Sequence, residues 1–206
     1  MDKLIEKNTD ELRIPEEQEA AAPVHFTGKI IVVERLRQIK EAAKYLSAQS
    51  VIGFDTETKP TFTAGMRNMH KVALLQLATD ECAYLFRLQK IGLPREITAL
   101  LANKNVVKIG AAILDDIRLL QKLNRFTPNG FVDLQKIITQ YGIEDKGVKK
   151  MAAKVLGITI SKRQQLSNWE NAELTDAQMV YAATDAWVCR EIYLNLMKRE
   201  KICFQE

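Results

Sequence analysis

"VIGFDTETKP" (residues 51–60) decides how this chain folds, because it ends an apolar run with two acids one residue apart. Side chains alternate along a strand, so Asp55 and Glu57 project from one face, about 6–7 Å apart. Solvated strand ends often carry such a pair. Two carboxylates at that separation also converge on one hard cation. The flanking sequence has to separate the two readings.

Working outward, "GKIIVVE" (28–34) reads as a strand and "RLRQIKEAAKYLSAQ" (35–49) as an amphipathic helix. Residues 58–70 contain Pro60 and Gly65 and read as a loop. "KVALLQLAT" and "CAYLFRL" flank Thr79, Asp80 and Glu81, which predicts a hairpin. "REITALLAN" reads as a short helix and "VVKIG" (106–110) as a short buried strand. Helical patterns then run over 112–124, 131–141, 146–156 and 175–200. The last has a defined start, since Thr175 and Gln178 have capping-box spacing. Strands gather in the first half and helices in the second. The expected fold class is α/β or α+β, a mixed sheet covered by helices.

A chain of 206 residues supports one sizeable core. Residues 1–22 hold seven acids and three bases and read as a flexible acidic extension, leaving 23–206 as a single domain. The chain's net charge of +4 therefore hides a balance of +8 in that domain, which suits a polyanionic ligand. No apolar run is long enough to span a membrane, and the N-terminus lacks an apolar signal core. Cys82, Cys189 and Cys203 have no metal-type spacing and read as reduced thiols. The expected location is cytoplasmic, with no membrane partner.

Two further acids fall where acids are costly. In "AAILDDIRLLQKLN" (111–124), Asp116 shares a helical face with Ile113, Leu120 and Leu123, whereas Asp115 lies near Arg118 and Lys122. Asp116 thus reads as interior and Asp115 as surface. In "MVYAATDAWVCREIYLNL" (179–196), Asp185 sits in a stripe with Tyr181, Val188, Ile192 and Leu196. A charged, unpartnered carboxylate there would cost several kcal/mol. Acids from three elements repel one another unless cations occupy the cluster. All-oxygen ligands of this kind select Mg²⁺ or Mn²⁺, and two such ions about 3.5–4 Å apart form a clamp for in-line phosphoryl displacement.

These segments resemble the DEDD-superfamily 3′→5′ exonucleases of the tyrosine subclass, closest to the ribonuclease D and Werner-type exonuclease domains. "FDTE" matches the first motif and is followed by "KVALLQLAT"; "KIGAAILDDIRLL" matches the second, with Asp116 in the acidic position; "YAATDAW" matches the third. The likeness covers about residues 26–200 and implies a ribonuclease H-like mixed sheet flanked by helices. It implies catalysis by Asp55, Glu57, Asp116, Tyr181 and Asp185 with two divalent cations. Asp55, Glu57 and Asp185 would bind the metal that activates water. Asp55 would reach the second metal, Asp116 would contribute through bound water, and Tyr181 would orient the nucleophile or help deprotonate it. The implied partner is nucleic acid with a free 3′ end, DNA before RNA, releasing nucleoside 5′-monophosphates. A non-catalytic nucleic-acid-binding module on the same fold is the alternative.

Thr58 follows Glu57 where many relatives carry a bulkier residue against the terminal nucleotide, which leaves Phe62 or Met66 as candidates for stacking. Residues 146–163 contain six bases and no acid, which marks Lys149, Lys150, Lys162 and Arg163 as a candidate phosphate-binding rim. Arg67 and Lys71, in and just after the loop behind the first motif, are candidate contacts to the scissile strand. Trp169 reads either as a base-stacking platform or as core.

Overall fold

Alternation and apolar runs place most of the strands, but how the chain joins them depends on pairing between distant segments. The computed structural model describes residues 22–58 and 72–199. In chain order the elements are β1 (Lys29–Val33), α1 (Leu36–Ser47), β2 (Val51–Thr58), β3 (Val72–Ala78), β4 (Cys82–Arg87), α2 (Leu88–Ile91) and α3 (Arg95–Leu101). Then come β5 (Val107–Gly110), α4 (Leu114–Leu123), β6 (Phe131–Asp133), α5 (Leu134–Ile137), α6 (Val148–Leu156) and α7 (Asp176–Leu196). The six strands form one mixed sheet in the order β1-β4-β3-β2-β5-β6. The β2–β3 and β3–β4 pairs are antiparallel and the others parallel.

The hairpin expected around residues 79–81 is β3–β4, and Thr79 closes it by accepting from the Glu81 and Cys82 N–H groups at 3.2 and 3.0 Å. One expectation fails. Residues 131–141 are not a single helix; they begin as β6 and continue into α5 and a 3-10 turn (Ile138–Tyr141). Three residues are too few to show a period of two, and tertiary contacts decide the segment. Val132 pairs with Ile109, and the Phe131 ring meets Phe54 edge-on at 5.2 Å. Asp133 then caps α5 by accepting from the Gln135 N–H at 3.0 Å.

The sheet is covered on both faces. On one, α1, α3 and α4 pack over Ile52, Phe54, Leu75, Leu77 and Phe86. On the other, α7 lies across the middle strands, with α6 beside it. Burial on nearly every side of α7 explains why it lacks a single apolar stripe. Its start uses the expected capping box: the Thr175 side chain accepts from the Gln178 N–H at 3.2 Å, and Gln178 accepts from the Thr175 N–H at 3.0 Å. The Gln178 amide also donates to Ser167 Oγ (3.0 Å) and to the Asn168 carbonyl (3.2 Å). Fully buried Arg87, at the end of β4, donates to the carbonyls of Asn171 and Ala172 and to Glu34. No helix among the described residues is long and apolar enough to cross a membrane.

Candidate active site

The parallel neighbour β5 pairs with β2 only over Val51–Gly53, whereas β3 accompanies β2 to Thr58. Among the described residues, one edge of β2 is therefore unpaired beyond Gly53, and the two acids of "FDTE" stand beside that opening. Asp55 and Glu57 face α7, which brings Asp185 to them. One carboxylate oxygen from each of Asp55, Glu57 and Asp185 lies within 4.8 Å of the other two. Close approach of helix and strand makes this possible. A Cβ on Gly53 would lie 1.8 Å from the Ala186 carbonyl oxygen, and the buried residues around Asp185 include the small Ala182, Ala183 and Ala186.

Asp116 comes from the opposite side of the sheet. Thr56 points away from Asp55 and Glu57, and its hydroxyl donates to Asp116 Oδ1 at 2.6 Å. The turn that starts α4 is specific. Ala112 adopts φ +58, a conformation costing a non-glycine residue about 1–3 kcal/mol, and its N–H donates to Asp133 Oδ1 at 2.9 Å. Asp133 therefore fixes both the α4 turn and the α5 cap. Asp115 points to solvent and pairs with Arg118 at 3.0 Å.

Burial dominates the electrostatics. It lifts Asp55 well above the ordinary carboxylate range, with the charges of Asp185 and Asp116 adding to it. Burial, then Asp55, pushes Glu57 up to about 10. Asp185 rises to about 6 through burial, opposed by a hydrogen bond from Tyr181 and by Lys162. Asp116 is raised by burial and lowered by its bond from Thr56. Burial and the Asp185 charge lift the Tyr181 phenol far above its usual value, so its hydroxyl is a donor. Such a cluster is poorly satisfied as it stands. Three converging carboxylate oxygens, with no nitrogen or sulfur ligand among the described residues, fit a hard divalent cation, which would supply the missing positive charge.

A cavity of about 280 Å³ opens over the cluster, lined by Asp55, Glu57, Tyr181 and Asp185 and by Lys146, Lys149 and Lys162. The predicted basic rim divides. Lys149 and Lys162 line the cavity, whereas Lys150 and Lys154 each lie 2.9 Å from Asp145, an acid one residue outside the basic window. Arg163 lines a neighbouring cavity of about 480 Å³ that shares Tyr181 as a wall. Arg67 and Lys71, with Phe62 and Met66, lie outside the described residues. Trp169 is fully buried, its ring 5.9 Å from that of Tyr181, so it supports the tyrosine from within the core. Sequence reasoning missed Thr56, Asp133 and the cavity residues Gln135 and Cys189. Thr56 sits between the two acids of the first motif, but its bond to a residue 60 positions away has no sequence signal.

A profile of the 3′–5′ exonuclease family matches residues 30–200. The bifunctional 3′–5′ exonuclease/ATP-dependent helicase WRN of Mus musculus is 33% identical over 157 residues, covering 73% of this chain and 11% of that protein. Ribonuclease D of Haemophilus influenzae is 29% identical over 183 residues, covering 88% of this chain and 44% of its own length. The crystal structure of the Aedes aegypti Nibbler EXO domain superposes with a TM-score of 0.71 at 25% identity, covering 82% of this chain and 87% of that one. The chain belongs to the 3′–5′ exonuclease family. It spans less than half the length of either curated relative. The ribonuclease H-like mixed sheet expected from the three motifs is borne out, as is the family they resemble.

Proposed function

We propose that this chain is a metal-dependent 3′→5′ exonuclease that hydrolyses nucleic acid from its 3′ end by a two-metal-ion reaction. The carrying observation is the convergence of Asp55, Glu57 and Asp185 within 4.8 Å, beneath a cavity rimmed by lysines. In this reading Asp55, Glu57 and Asp185 hold one divalent cation. Asp55 reaches a second, with Asp116 acting through bound water from the open edge of β2. The cations, Mg²⁺ or Mn²⁺, supply an activated water and neutralise charge on the phosphate. Tyr181, whose hydroxyl is shared with Asp185 in the metal-free cluster, orients the attacking water or helps to deprotonate it. Hydrolysis adds hydroxide to phosphorus and breaks the P–O3′ bond. The leaving 3′-oxygen takes up a proton, and a nucleoside 5′-monophosphate departs. Residues 23–206 act as one domain in this reading, with 1–22 as an acidic extension.

DNA is the favoured polymer, on the Werner-like character of residues 71–79. RNA is the second reading, supported by the ribonuclease D likeness over 88% of the chain. The test is degradation of 5′-labelled single-stranded and 3′-recessed DNA and matching RNA in Mg²⁺ or Mn²⁺, with chelator as control. A ladder shortening from the 3′ end, lost with chelator, establishes the activity and selects the polymer. Bound but intact oligonucleotide in every condition sinks it in favour of a recognition module.

Two further results are expected. Asp116→Ala lowers kcat by about 10- to 100-fold, the scale for losing a residue that acts on a metal through bound water, whereas exposed Asp115→Ala stays near wild type. Equal losses in the two would refute the separate roles of these neighbours. Charge reversal at Lys149 and Lys162 weakens oligonucleotide binding and flattens its salt dependence by about 0.7 per lost phosphate contact to a single strand. Lys150→Glu has a smaller effect, because Asp145 already holds that ammonium. Binding titrations across a salt series read both, and equal effects at the three positions would count against the divided rim.

A further inference from the structure

β3 carries a glutamine where its other inward-facing residues are apolar. Gln76 is directly opposite Asp55 in the antiparallel β2–β3 register. Opposed residues point to the same face with Cβ atoms about 4.5–5.5 Å apart, so Gln76 lies beside Asp55 beneath α7. It is fully buried, and neither its Nε2 nor its Oε1 has a hydrogen-bond partner among the described residues. Its surroundings offer little else. The residues two before and two after it on this face, Leu74 and Ala78, pack against Ala182 and against Ala183 and Ala186 of α7. On its other side β4 presents Leu85. A buried amide left unbonded among alanines and leucines is costly, and the polar side chain next to it on this face is the Asp55 carboxylate.

We propose that Gln76 is a positioning residue whose amide donates to the outer oxygen of Asp55 when the inner oxygen ligates a divalent cation. This rests on the metal-binding reading above. A ligating carboxylate needs its second oxygen fixed, or the ligand set loses its orientation. Gln76 is placed to do this from within the sheet, where solvent does not compete. The amide is then unpaired in the metal-free protein and paired in the metal-bound one. Metal binding thereby satisfies a donor that folding alone leaves orphaned.

The test compares wild type, Gln76→Met and Asp55→Asn, each titrated with Mn²⁺ by calorimetry without nucleic acid and well below its melting temperature. Methionine keeps the length of the side chain and removes both polar atoms. Gln76→Met should bind Mn²⁺ about 10-fold or more weakly while melting no lower than wild type in chelator. Mn²⁺ affinity equal to wild type overturns the proposal, whatever the melting temperature does. Should wild type bind no Mn²⁺, or Asp55→Asn bind it as well as wild type, the metal-site reading itself has failed. A second measurement needs no variant. In protein labelled with ¹⁵N-glutamine, the Gln76 side-chain amide protons should shift on saturation with Mg²⁺. A resonance that does not move while other site resonances do overturns the role.

Discussion

Asp55→Asn abolishes phosphodiester hydrolysis and raises the melting temperature of the metal-free protein. The first effect follows from the place of Asp55 in the cluster, where one oxygen each of Asp55, Glu57 and Asp185 lie within 4.8 Å of one another. Losing a ligand that serves both proposed cations removes several kcal/mol of transition-state stabilisation, or about a thousandfold or more in kcat. The second effect follows from the same geometry without the ion. Burial and neighbouring acids hold Asp55 well above its ordinary value, so its charge opposes folding at neutral pH. A neutral amide of equal size removes that opposition, at about 2–4 °C per kcal/mol for a chain of this size.

The pH dependence carries the sign of this effect. Glu57 is lifted from 4.5 to about 10 and Asp185 from 3.8 to about 6. The folded protein therefore holds more protons than the unfolded chain between these limits, and stability falls as pH rises. What these groups contribute is fully present below about pH 4 and is lost progressively towards about pH 10. A divalent cation requires ionised ligands and displaces their protons, so saturation with Mg²⁺ should flatten or reverse that slope. Melting curves from pH 5 to pH 9, in chelator and in Mg²⁺, check the pair. Parallel slopes would mean that the cluster binds no cation.

Gly53→Ala is the second large effect, although the residue touches no substrate. Its Cβ would stand 1.8 Å from the Ala186 carbonyl oxygen and 2.6 Å from the Ala186 carbonyl carbon. Both are backbone atoms of a helix packed across the sheet, so no side chain can rotate away. Overpacking of a core costs about 1–3 kcal/mol, and a backbone clash falls at the upper end or beyond. Displaced by about 1 Å, α7 takes Tyr181 and Asp185 with it, and misplacement on that scale costs on the order of 100-fold in rate. Gly147→Ala, whose Cβ has nothing within 4 Å, meets no such clash and lowers the melting temperature far less, by no more than the cost of alanine at the N-cap of α6. A Gly53→Ala protein with wild-type stability and turnover would show that helix and strand have slack the structure does not suggest.

Much of the fold was legible because its signals are local. The apolar runs of 28–34 and 72–78, the hairpin around Thr79 and the capping box at Thr175 all lie within a few residues of what they specify. β6 was illegible because three residues carry no periodicity and its pairing with β5 joins positions more than 20 apart. The separation of Asp116 from Asp115 could be read because helical spacing puts adjacent residues on different faces. The basic rim was only partly legible. Six bases with no acid among them look equivalent in sequence, yet Asp145 folds back on two of them. The hydroxyl link from Thr56 to Asp116 was invisible, since it joins two residues 60 positions apart that only the packing of α4 on the sheet brings together.

The loop ahead of α7 is tied at several points, by the Gln178 amide to Ser167 and Asn168 and by the buried Arg87 to Asn171 and Ala172. Lys162 and Gln165, which face the cavity, stand just upstream of these ties. A strand arriving there meets a wall already set rather than one it must assemble. Little conformational freedom is surrendered on association, so affinity should depend on the contacts themselves and encounter should be governed by diffusion in the field of the lysines.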